Sequence, residues 1–141
     1  MRHFRLPAIA ALAFAVAVPA AALAAKPKHG YYIDAPKQIY IVVNAKRTAL
    51  TSFQAPCLVK GTDGKLTPNT GFTLASKHPK LSPSGSFSYD GKVKLGEVIV
   101  SAKFTGTFTG TKIKGTITID PKTTCVAYRY SAKYYGVNPG G

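Results

Sequence analysis

Acidic residues are scarce in this chain. Five of its 141 residues are acidic and they are scattered, at Asp34, Asp63, Asp90, Glu97 and Asp120. A calcium loop needs clustered oxygen ligands, and a glycosidase needs a pair of carboxylates, so the sequence indicates neither kind of site. Asp63 and Asp90 each precede a glycine, a pairing that is typical of turns with positive φ.

Histidine is also rare, which leaves little material for a catalytic or metal site. His29 and His78 lie far apart in loops rich in proline and lysine, with no cysteine or acidic residue at zinc-ligand spacing. The chain has no Gly-x-Ser-x-Gly elbow and no glycine-rich phosphate loop. We therefore expect no enzyme activity, no metal ion and no cofactor.

Helical periodicity is missing after residue 25. Short runs of Ile, Val, Tyr, Phe and Thr stand in its place, separated by turn residues. We predict strands over residues 38–44, 48–55, 57–60, 71–75, 86–89, 92–95, 97–108, 112–120 and 125–134. Turns are expected at 62–65, Asp90-Gly91 and 109–111. The pattern predicts an all-β fold, a single antiparallel β-sandwich or small β-barrel of about eight short strands.

The first 25 residues are typical of an export signal. Residues 1–5 are basic, 6–18 are apolar, and the small residues Ala22, Ala24 and Ala25 mark the cleavage region. The alternative is a membrane anchor, because residues 6–25 carry no charge. Prolines interrupt that stretch, which favours the signal.

Cleavage would divide the chain into four parts. We predict a cleaved signal peptide over 1–25, an N-terminal linker over 26–37, a β-domain over 38–135 and a flexible C-terminal tail over 136–141. The predicted location is secreted or extracellular, with association to the cell envelope and no transmembrane segment after cleavage.

The remaining chain is strongly basic. Removing Arg2 and Arg5 leaves 17 of the 19 Lys and Arg residues against five acids, a net charge of +12. Only Arg47 and Arg129 of these 17 are arginines. Such a field attracts polyanions, whereas bidentate recognition of phosphates or bases favours arginine.

Alternation after residue 92 separates an apolar face from a basic one. The alternate positions predicted to point inward, which we call the inward parity, are Val93, Leu95, Val98, Val100, Ala102, Phe104, Phe108, Ile113, Ile117, Ile119, Val126, Tyr128, Tyr130 and Ala132. The opposite parity holds threonines, serines and a candidate polyanion-binding set: Lys92, Lys94, Lys103, Lys112, Lys114, Arg129 and Lys133. The alternative interpretation is a solvated face that protects sheet edges. Nucleic acid is a disfavoured partner, because the aromatic residues of these strands have core parity.

Two cysteines, Cys57 and Cys125, remain after signal removal. An even count in an exported chain favours a disulfide, with two buried thiols as the alternative. Such a bridge would close a loop of about 69 residues and contribute about 4 kcal/mol.

Tyrosines stand in pairs near both ends of the β-domain, as Tyr31-Tyr32 and Tyr134-Tyr135. Such a cluster is typical either of a sugar-stacking patch or of packing between the two termini. We favour packing.

Several segments carry a resemblance to a known group. They are the Ile/Val strand at 39–43, Cys57, the Gly-Ser-Phe-Ser element at 85–88, the runs at 103–108 and 113–117, and the last strand at 125–132. Over residues 38–133 the chain resembles a group of small secreted actinobacterial all-β proteins of unassigned function. The resemblance implies secretion, paired cysteines and an all-β fold, and it supplies no activity and no site.

The function expected from these observations is that of an exported, non-catalytic β-domain. Its Lys/Thr face would associate electrostatically with anionic cell-envelope polymers or acidic polysaccharides. Two alternatives stand beside it: a small-ligand carrier if the strands enclose a hollow barrel, and an envelope-acting hydrolase of unrecognised type.

Overall fold

The computed structural model describes residues 26–74 and 78–137. The predicted signal peptide, with Ala22, Ala24 and Ala25, lies outside the described residues, as do positions 138–141 of the predicted tail.

Eight antiparallel strands make up the described chain. They are β1 (Gly30–Asp34), β2 (Ile39–Val43), β3 (Leu50–Lys60), β4 (Leu66–Thr73), β5 (Ser86–Leu95), β6 (Val98–Thr109), β7 (Lys112–Ile119) and β8 (Tyr128–Gly136). Each strand pairs with the next along the chain, and β8 pairs with β1, so the sheet closes on itself. The predicted all-β fold of about eight strands is confirmed.

Aromatic rings fill the interior of the closed sheet. Phe104 is stacked between Phe53, at 4.6 Å between ring centroids, and Tyr89, at 4.7 Å. Phe72 lies 5.7 Å from Phe104, and Tyr32 meets Phe108 edge-on at 4.9 Å. Burying each such ring contributes about 1.5–3 kcal/mol, so the alternating apolar positions are the main source of stability.

Inward-facing glycines make room for two tyrosine rings. Gly106 and Gly115 are paired across β6 and β7, and a Cβ on either would lie 2.7 Å from the hydroxyl oxygen of Tyr130. A Cβ on Gly115 would also collide with the carbonyl oxygen of Thr105. On β5, a Cβ on Gly91 would lie 2.9 Å from the hydroxyl oxygen of Tyr89. The rings occupy the space that missing side chains leave.

The connection between β7 and β8 crosses to β3. Cys57 and Cys125 form a disulfide, with their Cα atoms 5.1 Å apart, as predicted. Beside it the backbone N–H of Val126 donates to the carbonyl of Leu58 at 2.9 Å. The bridge therefore joins β3 to the connection between β7 and β8. A disulfide is consistent with an extracellular protein.

The predicted turn at Asp90-Gly91 is wrong. Both residues lie inside β5, where Asp90 pairs with Lys103 and Gly91 with Ala102. The reversal occurs instead after Leu95, where Gly96 adopts a φ of +61°. Gly91 is explained by the ring of Tyr89, which needs a neighbour without a side chain.

The predicted linker over 26–37 contains strand β1, so the β-domain begins at Gly30. All five of its residues pair with β2, and three of them also pair with β8. The two strands predicted at 48–55 and 57–60 are one strand, β3. A register shift between Pro56 and Leu58 accommodates the proline, which cannot donate to the ladder.

The inward position predicted for Val98 is also wrong. Val98 is 59% exposed and its neighbour Ile99 is 70% exposed. Both lie at the first two positions of β6, beside the turn at Gly96, where this end of the strand is open to solvent. Two positions further, Val100 is buried, as predicted.

Candidate polyanion-binding face

The seven cationic residues predicted to share a face lie on four consecutive strands. All are exposed on the outer side of β5–β8: Lys92, Lys94, Lys103, Lys112, Lys114, Arg129 and Lys133. We call this set the basic face. The strand order explains their meeting, because consecutive antiparallel strands of matching parity present the same set of positions to solvent.

Like charges lie directly opposite each other at one end of the basic face. Lys112 of β7 pairs in register with Lys133 of β8. Like charges in such a position destabilise a sheet. An anion bound between them would remove that repulsion.

Hydroxyl groups separate the cations along the strands. Thr105 and Thr116 are paired across β6 and β7 with their Oγ1 atoms 2.9 Å apart. Thr116 in turn faces Arg129, and Lys114 lies between Thr107 and Ser131. The face therefore alternates positive charge with donors and acceptors that suit a hydroxylated or oxyanionic ligand.

A shallow concavity of about 570 Å³ lies at the centre of this arrangement. Its lining includes Lys37, Thr105, Thr107, Lys114, Gly115, Thr116, Arg129, Tyr130 and Ser131. A second concavity of about 530 Å³ shares Lys37 and Ser131 with the first and extends to Lys133. The two form one outer surface with cations on both sides.

Lys37 is a cation that the sequence analysis missed. It lies in the turn between β1 and β2, and the buried carboxylate of Asp34 holds that turn against β8. Asp34 accepts a hydrogen bond from the backbone N–H of Lys37 at 3.3 Å and one from Ser131 at 3.1 Å. Recognition of β1 in the sequence would have revealed Lys37, because that strand brings its turn beside β8.

Acidic residues do little to neutralise the basic face. Two acids lie beside one of its seven cations: Asp90 on β5 is opposite Lys103, and Asp120, just after β7, lines the same concavity as Asp90 and Lys103. Asp34 is buried and bonded to backbone N–H groups. The Nζ atom of Lys92 donates a hydrogen bond to the Ser101 hydroxyl at 2.8 Å. This neutral partner fixes the position of the ammonium group.

Within residues 26–74 and 78–137, no group of three or more His, Cys, Asp and Glu side chains could hold a metal ion. Burial raises the pKa of the Tyr130 phenol far above its usual range, with a smaller contribution from Tyr128. Burial, with Asp34 nearby, also raises the pKa of Tyr128. Both phenols therefore stay protonated at neutral pH.

Strand alternation splits the two tyrosine pairs. Tyr32 and Tyr134 pack together with ring centroids 5.2 Å apart, so the predicted packing of the termini is confirmed for these two. Their partners Tyr31 and Tyr135 lie on the outer parity of β1 and β8. Each pair thus supplies one internal and one external ring.

No family model, curated protein or solved structure matches the chain. The resemblance to small secreted actinobacterial proteins therefore stays a prediction. Over the part of the chain that the structure describes, there is no helix with the length and apolar character needed to cross a membrane.

Proposed function

We propose that this protein is an exported, non-catalytic binding domain whose basic face associates with anionic cell-envelope polymers or acidic polysaccharides. One observation carries the proposal. Seven cations and their intervening hydroxyls are exposed on the outer side of the four consecutive strands β5–β8, and the acids Asp90 and Asp120 lie beside only one of them, Lys103. A surface of one charge sign raises the local concentration of a polymer of the opposite sign.

The placement of the cations favours this function over solubility alone. Solubility needs a net charge and depends little on where the charges lie. Here Lys112 and Lys133 face each other on neighbouring strands, an arrangement that costs stability unless an anion is present. The backbone N–H of Lys37 donates to Asp34, and Asp34 also accepts from the backbone N–H of Ser131 on β8, so the turn that carries Lys37 is held at the same surface.

The filled interior disfavours the carrier alternative. A carrier needs an enclosed apolar cavity, and the centre of this sheet is occupied by the stack of Phe53, Phe104 and Tyr89. The concavities that hold cations are open to the outside.

Binding to polygalacturonate, followed by calorimetry at increasing salt, tests the proposal. We expect affinity to fall steeply between about 0.01 M and about 1 M salt, where the screening length shrinks from about 30 Å to about 3 Å. The triple variant Lys112→Gln, Lys114→Gln, Lys133→Gln should bind about tenfold or more weakly at low salt.

A variant with the same charge change elsewhere serves as the control. Lys46, Lys60 and Lys65 are exposed at the β2–β3 turn, the end of β3 and the β3–β4 turn. Their triple replacement by Gln should leave binding within about threefold of the unchanged protein. Equal losses in both variants would mean that net charge alone governs binding. That result, or no binding at low salt, would overturn the proposal.

A further inference from the structure

The tyrosines of this protein fall into two groups with different roles. Five of the eight donate their hydroxyl to a backbone carbonyl: Tyr32, Tyr89, Tyr128, Tyr130 and Tyr134. The other three are Tyr31, Tyr40 and Tyr135, and they lie on the outer parity of β1, β2 and β8. The first group is structural. The second needs another explanation.

The three outer tyrosines belong to one uncharged strip. Tyr31 pairs with Val42 and Ile33 pairs with Tyr40, so the outer side of β1 and β2 is a continuous apolar and aromatic surface. Tyr40 is 43% exposed and Tyr135 is 61% exposed. We call Tyr31, Ile33, Tyr40, Val42 and Tyr135 the aromatic strip.

A local irregularity places Tyr135 in the strip. The pairing of β1 with β8 shifts register between Tyr31 and Tyr32, whose partners are Gly136 and Tyr134. Tyr135 is therefore the extra residue of a β-bulge. Bulges redirect a side chain and recur beside binding sites, and this one directs a large ring to the outside.

The aromatic strip is continuous with the basic face. Lys112 pairs with Lys133, Lys133 with Ile33, and Ile33 with Tyr40. Neighbouring strands are about 4.8 Å apart, so Lys133 and Tyr40 are separated by about two strand spacings. One polymer chain crossing the strands would touch both surfaces.

We infer that the ligand is an acidic polysaccharide, whose sugar rings stack on the aromatic strip while its carboxylates lie on the basic face. This inference rests on the proposed function and specifies its ligand. The apolar face of a pyranose ring matches a tyrosine ring, and the phenol adds a hydrogen-bonding group at its edge. A polyanion without rings would use the cations alone.

Nucleic acid also combines negative charge with rings that stack on aromatics. The observed surface favours a sugar polymer over it. The cations of the basic face are lysines except for Arg129, and lysine lacks the planar fork that recognises phosphates and bases. The threonine and serine hydroxyls between them suit a ligand that carries hydroxyls along its length.

The test compares three polyanions: polygalacturonate, inorganic polyphosphate and an oligothymidylate. The variant Tyr40→Ala, Tyr135→Ala removes two exposed rings and leaves the interior intact. We expect it to weaken binding of polygalacturonate about tenfold and to leave polyphosphate within about twofold. Val98→Ala, Ile99→Ala is the matched control, because it removes exposed apolar groups elsewhere, and it should change neither affinity.

The outcomes separate this inference from the proposed function. If the lysine triple variant weakens all three polyanions while the tyrosine variant changes none, the inference is overturned and polyanion binding stands. Oligothymidylate binding that is tighter than polygalacturonate binding and is lost with the tyrosines would replace the polysaccharide by nucleic acid. If the lysine triple variant weakens none of them, the proposed function fails, and the inference with it.

Discussion

The phenolic hydroxyl of Tyr130 donates a hydrogen bond to the backbone carbonyl of Thr105, 2.8 Å away and two strands distant in the sheet. The ring reaches from β8 to β6 by passing over Gly115, its partner on the intervening strand β7. One side chain thus connects three strands beneath the surface on which the basic face lies.

Replacing Tyr130 with Phe should remove this connection and leave the ring packing. We expect the free energy of unfolding to fall by about 1–2 kcal/mol, because a carbonyl inside the sheet loses its partner. Urea unfolding measures the change. Tyr135→Phe is the control and should change stability by less than about 0.5 kcal/mol. A Tyr130 variant as stable as the control would mean that the hydrogen bond contributes nothing.

Stability should fall in alkaline solution through the buried tyrosines. Burial raises the pKa of Tyr130 and of Tyr128 above that of the unfolded chain. Above pH of about 10 the unfolded state therefore binds fewer protons than the folded state, and the free energy of unfolding decreases as pH rises. Below that pH these two tyrosines stay protonated in both states, so they do not make the free energy of unfolding depend on pH. Tyr128→Phe, Tyr130→Phe should show a shallower decline between about pH 9 and pH 12. An unchanged slope would contradict the assignment.

A methyl group on Gly115 should be poorly tolerated. Its Cβ would meet the Thr105 carbonyl and the Tyr130 hydroxyl. We expect Gly115→Ala to lower the free energy of unfolding by about 3 kcal/mol or to prevent folding. Gly71→Ala is the matched control in strand β4, where the added Cβ lies 3.7 Å from the Ala55 carbonyl. That variant should differ from the unchanged protein by less than about 1 kcal/mol, as measured by thermal unfolding.

The disulfide should contribute several kcal/mol to the free energy of unfolding. Cys57→Ser, Cys125→Ser opens a closed loop with a sequence separation of 68. The expected loss is about 2–5 kcal/mol, measured by unfolding in denaturant. The unchanged protein treated with a reductant should show the same loss. A reduced protein with unaltered stability would show that the closed sheet does not depend on the bridge.

The carboxylate of Asp34 should matter more than an exposed one. It is buried and accepts two backbone hydrogen bonds, so Asp34→Ala should cost about 2 kcal/mol. Asp63 accepts one such bond, from the N–H of Lys65, at an exposed turn. Asp63→Ala should cost less than about 1 kcal/mol. Equal effects on the melting temperature would contradict the role of Asp34.

The sequence predicted the C-terminal half of the fold better than the N-terminal half. Strands β6 and β7 alternate over many residues, and the break at Gly110 fixed the turn between them, where φ is +59°. The basic face followed from the same alternation. Strand β1 was missed because Pro27 before it and Gly30 at its start are typical of a linker, and its pairing partner β8 lies at the other end of the chain.

Residue composition failed as a guide where side-chain packing decides the conformation. Asp90-Gly91 has the composition of a turn, but both residues lie inside strand β5. There the ring of Tyr89 occupies the space that a side chain on Gly91 would fill. The complete aromatic strip could not be predicted from the sequence either, although Tyr31 and Tyr135 had been named in the sugar-stacking alternative. Tyr40 stands in an apolar run, and its exposure depends on which neighbours β2 acquires in the closed sheet.

The disulfide has a consequence for resistance to proteolysis. The turn at 61–65 is fully exposed and lies between Cys57 and Cys125 in the chain. A protease that cuts this turn produces two fragments that stay covalently attached through the bridge. Each fragment also keeps its strands paired with those of the other, so one cleavage neither releases a piece of the protein nor separates the lysines of the basic face.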